Sequence, residues 1–91
     1  MYRLEVTNRA QRELGKLDDE AFERVVATIR SLREEPRPRG SRKLKGPIYR
    51  IRVGDWRVIY AVFDKDRLII VGKVSRRSER TYDKVDNLFR D

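Results

Sequence analysis

Ninety-one residues carrying 23 Lys and Arg against 15 Asp and Glu have a formal net charge of +8 and a pI near 10.3. That balance points to a polyanionic partner: nucleic acid, an anionic membrane surface or an acidic protein. The chain has neither Cys nor His, which excludes disulfides, thiol chemistry, zinc sites of the His/Cys kind and His-based triads. Its apolar stretches are too short to span a membrane. One domain over residues 1–91 with a modest core is expected. The first residues already alternate like a strand and lack the apolar core of a signal peptide, so a cytoplasmic location is expected. Of the 23 cations 17 are Arg, whose planar fork suits phosphate.

In chain order, residues 2 to 6 read as a strand with Leu4 and Val6 on the buried side. Asn8, with Gln11 three residues on, resembles a capping box, and Ala10, Leu14 and Leu17 give a short helix its apolar stripe, broken near Gly15. Asp18, Asp19 and Glu20 supply a cap and an acidic first turn for a second helix. Phe22, Val25, Val26, Ile29 and Leu32 recur at helical spacing until Pro36 stops them. The segment 36–47 reads as a loop by its Pro and Gly content. It carries Arg37, Arg39, Arg42, Lys43 and Lys45, either as a solvated connector or as a phosphate-contacting arm.

The next segment, 49–60, is the most informative. Tyr49, Ile51 and Val53 alternate with Arg50 and Arg52, which gives a strand with one apolar and one cationic face. Gly54-Asp55 then makes a two-residue turn into Trp56, Val58 and Tyr60. That turn pairs Val53 with Trp56, Arg52 with Arg57 and Arg50 with Ile59, so Arg50, Arg52 and Arg57 share a face. Like charges directly opposite each other are destabilising. Either an anion lies over them or they are a solvated basic edge. Residues 58–63 and 68–71 are apolar on both sides, which predicts central strands joined by a turn at 64–67. Counted through a Lys65-Asp66 turn, Arg57 meets Val74 and Arg76 falls on the Arg57 face, unless Gly72 marks a bulge, which would reverse every side chain beyond it. Tyr82, Val85, Leu88 and Phe89 give a short C-terminal helix that covers an open sheet face or binds a partner. The resulting fold class is α+β: a small, mostly antiparallel four-stranded sheet with an N-terminal helical hairpin on one face, in the order β-α-α-β-β-β-α.

That order, with Leu44-Lys45-Gly46, Tyr49-Arg50-Ile51-Arg52, Gly54-Asp55-Trp56-Arg57-Val58-Ile59-Tyr60 and the closing Arg76-Arg77 to Tyr82 segment, resembles the RelE side of the RelE/ParE toxin superfamily. The resemblance implies the toxin of a type II toxin-antitoxin system. It implies an endoribonuclease that needs no metal or other cofactor, cuts mRNA in the ribosomal A site, inhibits translation and is neutralised by a cognate acidic antitoxin. Its partners would be that antitoxin, the ribosome and mRNA, with no membrane. It matches Arg50, Arg52, Arg57, Arg76 and Tyr82 to the active face. Tyr82 would be the base, Arg57 and Arg76 the phosphate clamps, and Arg50 and Arg52 the positioning charges. Arg37, Arg39, Arg42, Lys43 and Lys45 would bind RNA phosphates. Arg50 and Arg52 stand where well-known members carry Lys, Trp56 stands where Tyr is common, and the His many relatives have near the final basic pair is missing. Lys73 becomes a second proton-transfer candidate if a bulge turns it. The alternatives are a ParE-like gyrase inhibitor without nuclease activity, and a catalytically degenerate RNA- or ribosome-binding module.

Overall fold

The computed structural model describes residues 1–76 and 85–89. Strand β1 (Arg3–Val6) leads into helices α1 (Asn8–Leu14) and α2 (Asp19–Ser31). Four strands follow, β2 (Ser41–Lys45), β3 (Ile48–Val53), β4 (Trp56–Phe63) and β5 (Leu68–Arg76), and a 3₁₀ helix occupies Val85–Phe89. The sheet order is β1-β5-β4-β3-β2. β1 runs parallel to β5, and the other neighbours are antiparallel. None of the described helices is long and apolar enough to cross a membrane.

The α+β class and the helical hairpin are as expected from the sequence, and the sheet has one strand more. β2 forms in the second half of the segment read as a loop. Pro36 and Pro38 confine irregular backbone to the first half, and Gly46 with φ of 51° turns the chain into β3. Its signal is hidden because β2 is an edge strand, and Arg42, Lys43 and Lys45 are solvent-exposed on it. Charged side chains protect such an edge from pairing with other chains. At the N-terminus the helix cap is Thr7 rather than Asn8: its hydroxyl accepts the Ala10 N–H at 3.2 Å. Gln11 reaches past Asn8 to donate to the Val6 carbonyl at 2.9 Å. Asp18 caps α2 as its sequence predicts, accepting the Ala21 N–H at 2.8 Å.

Both faces of the sheet are covered, which is why β4 is apolar on both sides. On one face Val25 and Ile29 of α2, Leu32 just after it and Ala10 of α1 pack on Ile51, Val58, Tyr60, Val62, Ile69 and Val71. The other face is thinner, with Val85 and Leu88 of the 3₁₀ helix meeting Ile48, Ile59 and Ala61. Phe22, at the start of the α2 stripe, is 41% exposed. Gly72 permits the close approach on the thinner face. A Cβ there would lie 2.7 Å from Phe89 Cε1 and 2.9 Å from the Leu88 carbonyl oxygen.

Candidate nucleic-acid interface

The β3–β4 hairpin supplies the center of the site. Gly54 has φ of 59°, the left-handed conformation a tight hairpin turn requires. The pairing is Val53 with Trp56, Arg52 with Arg57, Ile51 with Val58 and Arg50 with Ile59, as the turn dictates. β2 then adds a residue the hairpin lacks, because Arg42 lies directly opposite Arg50. Partners across a ladder share a face, so Arg42, Arg50, Arg52 and Arg57 lie on one side of three adjacent strands, two opposed pairs of cations. Arg42 and Arg52 reach solvent. Arg50 and Arg57 do not, with only 7% and 6% of their surface exposed. Arg50 donates through Nη1 to the Gly40 carbonyl at 3.4 Å, while its buried Nε has no partner among the described residues. Burying guanidinium groups beside one another is costly, and an anion on this face would relieve that cost.

Arg76 is not among them, contrary to the count through the Lys65-Asp66 turn. Phe63 does pair with Leu68, but the register shifts after Tyr60, so Tyr60 meets Val71 and Ile59 meets Lys73. Gly72 is the extra residue, and beyond it every side chain changes sides. Arg57 therefore faces Ser75, and Arg76 faces Trp56. The Arg76 guanidinium lies 4.8 Å from the center of the Trp56 ring, beside a cleft of about 270 Å³ whose lining includes Glu13 and Lys16. The same shift places Lys73 across from Ile59, toward the arginine face, but its ammonium is engaged by Glu13 at 3.0 Å. The second Glu13 oxygen accepts the Val74 N–H at 2.8 Å. One carboxylate thus ties α1 to the strand just after its bulge. Tyr82 lies outside the described residues.

The cations of the segment 36–47 divide. Arg37 is bonded within the fold: it forks onto Asp64 at 2.7 and 3.3 Å, donates through Nε to the Tyr49 hydroxyl at 2.9 Å, and lies 5.2 Å from the Tyr49 ring center. Tyr2 donates to the same carboxylate at 2.7 Å. Arg37 and Tyr2 together hold the Asp64 carboxyl below its ordinary pKa, and Asp64 in turn raises that of Arg37. Beneath them Tyr60 donates its hydroxyl proton to the Pro36 carbonyl at 2.8 Å, and burial pushes its pKa up to about 12. Arg39 is exposed just before β2. Lys43 pairs with Tyr49, toward the helices, and Lys45 pairs with Ile48. Ser75, which the sequence did not single out, is the residue the structure adds. It is 4% exposed, sits across from Arg57, and its Oγ has no hydrogen-bond partner among the described residues. Only the register beyond the bulge could have pointed to it.

A family model described as the ParE toxin of the type II toxin-antitoxin system, parDE, matches residues 4–81, and the chain belongs to that family. A protein of Methanocaldococcus jannaschii that bears the name toxin RelE1 is 33% identical over 81 residues, 84% of this chain and 90% of the relative. Among solved structures, the archaeal RelE-RelB complex from Pyrococcus horikoshii OT3 is similar with a TM-score of 0.75 at 30% identity, over 87% of this chain and 98% of that one. The intact E. coli RelBE toxin-antitoxin complex is similar with a TM-score of 0.75 at 25% identity, over 88% of this chain and 100% of that one.

Proposed function

We propose that this toxin is a metal-independent endoribonuclease that cuts mRNA held in the ribosomal A site, and that a cognate acidic antitoxin silences it. The observation that carries the reading is the double opposition of Arg42 with Arg50 and Arg52 with Arg57 on one sheet face. Attack by a neighbouring 2′-hydroxyl on a phosphodiester needs a base, stabilisation of the charge that develops on phosphorus-bound oxygens, and a proton for the departing 5′-oxygen. Preorganised guanidinium groups away from water meet the second need. Arg57, buried at the center, is assigned to the scissile phosphate, with Arg50 beside it. Arg42, Arg52, Arg39 and Lys45, all exposed, are assigned to flanking phosphates. Arg76, beside Trp56, is assigned to RNA contact at the rim rather than to the clamp. Arginine is a poor base because its pKa exceeds ~12. The base is assigned to Tyr82 on the family resemblance, its ordinary pKa of ~10 lowered by nearby cations. With such a base, cleavage of free RNA is expected to be slow, and the ribosome would supply the orientation.

An antitoxin fits the same face. Its carboxylates would meet the arginines, and an apolar side chain would fill the groove of about 170 Å³ between Ile48, Ala61 and Phe89. The solved relatives from Pyrococcus horikoshii and E. coli are complexes of toxin with antitoxin. The deciding experiment is single-turnover cleavage of mRNA on programmed ribosomes by the parent protein and by Arg57→Ala. Cleavage that depends on Arg57 and on the ribosome is expected, and equal rates on free and ribosome-bound RNA would contradict the ribosome requirement. The family model's ParE description keeps a second reading in view, inhibition of DNA gyrase by binding. Block of gyrase supercoiling without mRNA cleavage would establish that instead.

A further inference from the structure

We propose that the Ser75 hydroxyl is a phosphate-binding group of this site, donating its proton to a non-bridging oxygen of the phosphodiester that Arg57 and Arg50 hold. Three observations converge on it. Ser75 is directly across the β4–β5 ladder from Arg57, so its side chain stands on the arginine face. It is 4% exposed, and its Oγ has no hydrogen-bond partner among the described residues. The Arg50 Nε on the same face is likewise buried and without a partner among the described residues. A buried hydroxyl with no acceptor costs free energy that Ala or Val would avoid. Its partner across the ladder, Arg57, is also of the wrong kind to satisfy it. Guanidinium groups only donate, and they leave the hydroxyl proton without an acceptor. An anionic oxygen between Arg57 and Ser75 would accept from both at once.

The backbone supports the placement. The extra residue at Gly72 puts position 75, rather than 76, on the Arg57 face. Glu13 fastens the strand there through the Val74 N–H and the Lys73 ammonium. Without the bulge an arginine would occupy this face. With it the site gains a short neutral donor beside two long cations, able to fix an oxygen's position rather than merely attract it.

The proposal takes its substrate class from the nuclease reading, but its geometry stands apart from it. The test uses the full chain in two assays: affinity for a short RNA made uncleavable by 2′-deoxy substitution, and single-turnover cleavage of mRNA on ribosomes. Loss of one hydrogen bond to a charged group predicts that Ser75→Ala lowers both affinity and rate by about 10-fold, with Ser75→Thr retaining most of each. Sulfur in place of one non-bridging oxygen should slow the parent but leave Ser75→Ala no slower than it already is, a signature that a purely structural role would not produce. Parental affinity in Ser75→Ala, or the parent's full sensitivity to sulfur, would overturn the proposal. So would a parent that binds no RNA. A parent that binds RNA with this Ser75 dependence but never cleaves it would uphold the hydroxyl's role and refute the nuclease reading instead.

Discussion

The two faces of the sheet handle polar groups differently. Under the helices, buried polar groups meet partners supplied by the fold. Tyr60 donates to the Pro36 carbonyl, Thr7 caps α1, and Glu13 accepts the Val74 N–H. On the opposite face the Arg50 Nε and the Ser75 Oγ are buried with no hydrogen-bond partner among the described residues. Polar atoms in that condition lower stability. Where they gather beside arginines opposed across the ladder, they fit the proposal that this surface takes an anionic ligand. On that proposal the helix face makes the fold stable, and the arginine face gives up stability to be ready for an anion.

The sharpest way to break this contrast is to damage each face in turn. Leu32→Ala removes a side chain fully buried under the helices and should cost about 2–5 kcal/mol, read by denaturant unfolding, with little change in rate per folded molecule. Arg57→Ala should do the reverse. It should lower the single-turnover rate by about 100-fold or more, as loss of one charge-stabilising donor does elsewhere, while leaving the midpoint of unfolding unchanged or raised. A large loss of stability in Arg57→Ala would contradict the view that this charge is held at a cost.

A smaller effect is expected where the thin cover meets the sheet. At Gly72 a methyl group would overlap Phe89 and the Leu88 carbonyl, so Gly72→Ala should destabilise by about 1–3 kcal/mol. The change should appear as faster amide exchange in residues 85–89 and on Ile59, with α2 unaffected. Exchange that is unaltered in 85–89 would show that the close approach is not maintained in solution.

Next is Tyr60, whose loss of a hydroxyl bond in Tyr60→Phe should cost about 1 kcal/mol at neutral pH. Burial raises its pKa to about 12, above the ordinary value of ~10. The unfolded chain therefore loses this proton first as pH rises. Stability from this group is complete below pH ~10 and declines through the interval up to about 12. Tyr60→Phe should flatten that decline, and an identical alkaline transition in both proteins would exclude Tyr60 as its source. The least change in RNA affinity is expected from Arg37. Because it is bonded to Asp64 and Tyr49, Arg37→Ala should leave the salt dependence of RNA binding intact, whereas Arg42→Ala should reduce the logarithmic slope by about 1. Equal slopes in the two variants would mean that the fork to Asp64 opens when RNA binds.

Much of the architecture is legible in local pattern. Gly54-Asp55 sets the register of β3 on β4, because a two-residue turn leaves one pairing and the period of two then distributes every side chain. Runs that are apolar on both faces place β4 and β5 at the center of the sheet, and Asp18 marks the start of α2. Three arginines of the site follow from these signals alone. The rest depends on segments distant in sequence. β2 is disguised by the charges that protect an edge strand and becomes a strand only by pairing with β3, which brings Arg42 opposite Arg50. Arg37 carries the same charge as Arg39, but its partner Asp64 lies 27 residues away. Gly72 could have continued β5 regularly or bulged. Packing against Phe89 and the Glu13 carboxylate go with the bulge, and that one extra residue moves Arg76 to Trp56 and brings Ser75 to Arg57. Local periodicity thus determined the elements and the hairpin, while contacts between distant segments decided which side chains converge on the site, because a single inserted residue reverses every face beyond it.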